Sequence, residues 1–321
     1  MLTPMLMDTS IPAVPVPAET LFPMWRGREP WRKRLSAVSA TLHGANPALA
    51  KAIADVPFAQ LIAAEGPRKA VFKYNRLSDA ALSVIERLPV NLRGAWLCAL
   101  AIHHMDHFEA AFAASNLPSE FALHYADAFH RTLDQIDSDP GFADAQSDSF
   151  LKDLWLARVV MIPAFAQLWW PHSGISARPL LKAGPPTVAQ VWLGCGGRSP
   201  FFEGHTHDPV AKNYWNEPGW GEALRLAALA LPAMPHIKGV FGSAWFYDPA
   251  ILELSQRVAF AQTLQAGHGA WQVKMGSNAD AIANSTATSP SRRAAYEAGT
   301  YLPTDWLMIW SRANLIKAYG A

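Results

Sequence analysis

The densest run of chemically capable side chains in this 321-residue chain is Glu203-Gly204-His205-Thr206-His207-Asp208. In an extended segment alternate side chains share a face, so Glu203, His205 and His207 are expected to point one way. Two imidazoles and a carboxylate are a ligand set for a divalent metal, iron or zinc, with positions left open for water or substrate. Zinc there would make a nucleophile from bound water, and iron would hold O₂ beside a substrate. That chemistry points to a small-molecule enzyme of the oxygenase or hydrolase type. His236, His103 and His107 are the further candidate ligands. His103 and His107 lie one helical turn apart, and Asp106 is on a neighbouring face. His124, Asp127, His130 and Asp134 form a second helical cluster, read as histidines packed between helices. The aromatic run Tyr214-Trp215-Asn216-Glu217-Pro218-Gly219-Trp220 follows the His-x-His segment and suits an apolar or aromatic small molecule as wall or plug.

A second chemistry comes from the C-terminal run Ser289-Pro290-Ser291-Arg292-Arg293-Ala294-Ala295-Tyr296-Glu297-Ala298-Gly299. It resembles the closing segment of the GNAT acetyltransferases, in which a Tyr-Glu-x-x-Gly helix end precedes the last strand. That resemblance implies an N-acyltransferase using acyl-CoA, with Tyr296 beside the thioester sulfur as an acid. Val240-Phe241-Gly242-Ser243-Ala244-Trp245 carries no glycine-rich pyrophosphate loop of that family's type. A third class, a non-enzymatic binding or assembly protein, would use the N-terminal prolines and the aromatic loop as contacts.

Composition narrows the partners. Lys and Arg number 27 against 26 Asp and Glu, for a net charge of +1. No concentrated basic face marks a nucleic-acid partner. The longest apolar run falls short of the ~18 residues of a membrane span. Two cysteines, Cys98 and Cys195, and the lack of a signal-peptide pattern lead to the expectation of a cytoplasmic protein.

The elements that must position these residues read as an α+β chain in three parts. Residues 1–29 form a proline-rich arm, with no helix expected before Pro23. Residues 30–180 form an all-helical domain, with helix starts at Pro30, Asn46-Pro47, Ser78-Asp79, Asn91, Pro118-Ser119-Glu120 and Ser147-Asp148. Asn91 to Ser115 reads as one long helix, apolar on most sides, which should bury Leu97, Leu100 and Phe108. Residues 181–321 form a smaller mixed α/β domain, with strands expected only after residue 185. These are Val188–Leu193, Phe201–Asp208, Ile237–Tyr247, Trp271–Met275 and Trp306–Trp310.

Overall fold

The structure, a computed structural model, describes residues 17–65 and 74–319. It is α+β, with strands concentrated in the C-terminal half. Most of the proline arm lies outside the described residues. Within the part that is described, Ala18–Leu21 forms a single helical turn, α1, where a non-helical chain was expected. Pro17 sits before that turn, where its fixed φ and missing N–H are tolerated, and no proline follows until Pro23.

The chain divides into two compact units. The helical unit takes residues 24–173 together with 205–213, and the sheet unit takes the remainder. The helical unit contains α2 (Trp31–Ala45), α3 (Pro47–Asp55), α4 (Phe58–Glu65), α5 (Asp79–Arg87), α6 (Val90–Asp106), α7 (Phe108–Ser115), α8 (Glu120–Ser138) and α9 (Asp148–Ala157). The caps are those the residue types favour. Ser78 Oγ accepts from the Ala81 amide and Ser147 Oγ from the Phe150 amide, each satisfying a donor the helix leaves open. The expected long helix is two helices, broken at His107, whose φ and ψ of -95° and 13° are outside the helical range. Leu97, Leu100 and Phe108 are buried as expected. An aromatic core surrounds them, in which Phe129 meets Trp31 at 4.8 Å and Phe108 at 5.1 Å between ring centres. Truncating Leu100 to alanine is expected to destabilise the protein by about 2–5 kcal/mol, readable as a lower midpoint in urea unfolding.

Strands also occur earlier than expected. β1 (Ile162–Ala164) and β2 (Gln167–Ser173) form an antiparallel hairpin that pairs Ile162 with Trp169. Residues 167–171 are all buried, so the polar alternation that marks a half-exposed strand is missing. The turn is made by Phe165 at φ 47° rather than by a glycine or asparagine.

In the sheet unit, α10 (Ala177–Ala183) and α11 (Pro185–Ala189) lead into a short π-helical turn, Gln190–Gly194. The strand expected at Val188–Leu193 is therefore helical. Only Val191 of that turn is buried, while Leu193 is exposed, so its apolar side chains do not line a sheet. The strands that follow are β3 (Phe201–His205), β4 (Gly239–Ala244), β5 (Trp271–Gly276) and β6 (Asp305–Ser311). They align in the order β3-β4-β6-β5, with β3 parallel to β4 and the other pairs antiparallel. Gly239 is required where β4 begins. Its φ is 152°, and a Cβ there would stand 2.2 Å from the Trp310 carbonyl oxygen.

The connections are α12 (Asp208–Tyr214), α13 (Glu217–Ala230), α14 (Ile251–Leu254), α15 (Phe260–Ala266), α16 (Ala279–Ala287) and α17 (Pro290–Glu297), and α18 (Arg312–Tyr319) closes the chain. Ile175, Phe201, Phe241, Val273 and Ile309 are among the residues of one core cluster. Trp215 of the aromatic run packs edge-on against Trp220 and Phe246, which makes it core material of this unit. Among the described residues, no helix is long and apolar enough to cross a membrane.

Candidate active site

The His-x-His segment begins on a strand and ends off it. β3 stops at His205 and α12 starts at Asp208, so the alternation that would align Glu203, His205 and His207 is lost before His207. Glu203 lies in β3 opposite Phe241 of β4. The His205 ring lies 4.2 Å from that of Tyr74. His207 turns instead to α9.

α9 supplies two side chains one turn apart, Ser149 and Asp153, which i, i+4 spacing puts on one face. The His207 ring spans them. Its Nδ1 is 3.3 Å from Ser149 Oγ, and its Nε2 is 3.2 Å from Asp153 Oδ1. Asp153 is fully buried and also accepts from Arg131 Nη2 at 3.3 Å. Burial raises its carboxyl, but His207 and Arg131 outweigh that and hold it below the usual carboxylate range. An ionised carboxylate only accepts, so His207 Nε2 carries the proton that faces it. In the neutral ring Nδ1 is then the acceptor, and the Ser149 hydroxyl donates to it.

The surroundings fix this arrangement. Lys152 Nζ donates to the Thr206 carbonyl at 2.6 Å, and Gln167 Nε2 donates to Thr206 Oγ1 at 3.2 Å, which pins the residue between the two histidines. Lys152 also pairs with Asp148 at 2.6 Å, and Tyr74 Oη donates to the same carboxylate at 2.9 Å. Lys152 and Tyr74 outweigh the effect of burial on Asp148 and keep its carboxyl below the ordinary range. Ser147 Oγ takes the Phe150 amide and Ser147 O takes the Leu151 amide. Among the described residues, the Asp148 and Ser149 amides at the positive end of α9 meet no acceptor. Ser149 is only partly buried, whereas His207 and Asp153 lie beneath it.

The other candidate residues lie elsewhere. The His103 and His107 rings lie 4.3 Å apart and tilted, with His107 Nδ1 2.9 Å from the His103 carbonyl oxygen. Burial, and then His107, push the His103 imidazole down, favouring its neutral form. It lines a cavity of about 360 Å³ with Leu35, Phe58, Ile102 and Asp106. Asp127 and Asp134 are bonded by the Arg26 amide and guanidinium, and His130 Nε2 meets the Glu29 carbonyl, so this cluster holds the chain before α2 against α8. His236 is exposed in the turn before β4, and Tyr296 is partly exposed on α17. Among the described residues, no group of three or more His, Cys, Asp or Glu side chains is placed to hold a metal ion. Burial raises Cys98 to about 12 and Cys195 to about 11, so neither is a thiolate at neutral pH.

Ser149 and Asp153 escape sequence reasoning because only their partner lies in a conspicuous motif. The available signal was Ser147-Asp148 as a helix start, which puts Ser149 and Asp153 on one face of its first turns. No protein-family model, no curated protein and no solved structure matches this chain.

Proposed function

We propose that this chain is a small-molecule acyl hydrolase with Ser149 as nucleophile, His207 as base and Asp153 as the group that orients His207. The observation that carries this reading is the single imidazole held between a partly exposed serine hydroxyl and a buried, ionised aspartate. Such a relay is recognised by its geometry and roles, not by chain order, and it recurs on unrelated folds. Here Nδ1 faces the serine and Nε2 the aspartate. One ring nitrogen accepts and the other donates, which is what the chemistry requires.

In the proposed reaction Ser149 Oγ attacks the carbonyl carbon of an ester while its proton passes to His207 Nδ1. The positive ring is stabilised by Asp153. The carbonyl oxygen becomes an oxyanion, and in this reading the Asp148 and Ser149 amides at the start of α9 receive it. Collapse of the tetrahedral adduct breaks the bond to the alkoxide, which takes the proton from Nδ1. Water then attacks the acyl-Ser149 with His207 again as base, releasing the acid and restoring the serine.

The test is covalent labelling of the full chain with a fluorophosphonate, read by mass spectrometry of the Ser149 peptide. Modification at Ser149 that is lost in Ser149→Ala and in His207→Ala is the expected result. A folded wild-type protein whose Ser149 stays unlabelled under conditions that saturate a control serine hydrolase would refute the assignment.

A further inference from the structure

The sheet unit holds a second concentration of buried polar groups, which stands independently of the acyl-hydrolase reading. Arg292 on α17 is 1% exposed. A buried guanidinium is costly unless it is paired with an anion. Yet among the described residues Arg292 meets only neutral oxygens. Its Nε donates to the Ser285 carbonyl at 2.7 Å and its Nη1 to Ser255 Oγ at 2.7 Å, while its face lies 4.4 Å from the Trp245 ring centre. No carboxylate among the described residues lies within ion-pairing distance of it.

Two further donors sit beside it. Ser285 is 0% exposed, and among the described residues its Oγ has no hydrogen-bond partner of good geometry, although its own carbonyl holds the guanidinium. Tyr301 is 6% exposed, and its buried Oη faces the Ser285 hydroxyl, with no hydrogen bond of good geometry to it or to any other described residue. Burial raises the Tyr301 phenol; Ser285 and Arg292 act on it in the opposite sense, and Asp248 in the same sense as burial. Ile251 and Val258 form an apolar cluster with Tyr301, and Leu254 packs against it. Trp245, which the Arg292 guanidinium covers, also packs against the cluster that holds Tyr301.

We propose that Arg292, Tyr301 and Ser285 form a binding site for a small monocarboxylate. A guanidinium edge and two hydroxyls are donors matched to a planar carboxylate, and the apolar cluster takes a short alkyl tail. One charge on Arg292 balances one charge on the ligand. Asp248, on the Tyr301 side of the cluster, opposes a second negative charge, which disfavours phosphate.

Acetate, formate, chloride and inorganic phosphate are titrated separately against the full chain at constant ionic strength, with the melting temperature as readout. A saturable rise with acetate or formate that chloride and phosphate do not match is expected. Tyr301→Phe keeps the ring in the apolar cluster and removes only the hydroxyl. It should weaken carboxylate binding by about tenfold, and Arg292→Gln should remove it. The proposal is overturned if no saturable response appears, if phosphate or chloride acts at lower concentration than acetate, or if Tyr301→Phe responds as wild type does. The last outcome would assign the cluster to packing and hydrated hydroxyls alone. Should Arg292→Gln fail to fold, Tyr301→Phe and Ser285→Ala decide the question.

Discussion

His207→Ala is expected to lower kcat/KM for an activated ester by about 10⁴-fold or more, with Ser149→Ala alike and the double variant little worse. The near-equality of the singles and the double is the informative part. Residues that pass one proton act as a unit, so removing either ends the same pathway. Initial rates with a p-nitrophenyl ester, on protein whose circular dichroism matches wild type, provide the measurement. Losses that multiply in the double variant would mean that the two side chains do not share a step. Asp153→Asn adds a finer reading. Its amide can face Nε2 with a donor and so favour the wrong tautomer, with a loss in turnover and little change in KM.

Asp153→Ala should cost the fold about 3–5 kcal/mol, the scale for leaving a buried charge without its partner. Arg131 is only 15% exposed at its side chain and would lose its carboxylate, while His207 would lose its acceptor. Chemical denaturation at neutral pH would read the loss, and a cost within the scatter of surface variants would show that Asp153 carries no net electrostatic role. The same pair sets an acid limit. The folded Asp153 carboxyl is held below its unfolded value by His207 and Arg131. Its contribution is therefore complete above about pH 4, the ordinary aspartate range, and is lost as pH falls through the lower folded value. The wild type should accordingly lose stability below pH 4 more steeply than Asp153→Asn does.

Much of the scaffold was legible because it rests on local chemistry. Ser78 and Ser147, both read as helix starts, each cap a helix with the side-chain oxygen their type provides. Strands β3 and β4 fall within runs read as extended, and β5 and β6 overrun theirs by a single residue at one or both ends. The errors have physical causes. The β1–β2 hairpin lacks both alternation and a glycine turn, so neither period nor punctuation announced it. The Val188–Leu193 run has the composition of a strand, yet Pro185 and Pro186 start a helix just before it. At the site, the sequence grouped His207 with Glu203 and His205, whereas the structure bonds it to Ser149 and Asp153. An i, i+2, i+4 pattern aligns side chains only while the strand lasts, and β3 ends two residues before His207. Ser149 lies 58 positions from His207, a separation that no local spacing reveals.

The helical unit is discontinuous in the chain, because residues 205–213 belong to it while residues 174–204 do not. A gene fragment ending at Ser173 would encode Ser149 and Asp153 but leave His207 behind. The proposed chemistry could therefore not be inherited, exchanged or reconstituted as an N-terminal module. In recombination the two halves would travel together or lose the relay, and a peptide spanning residues 205–213 is the piece a split version would have to restore.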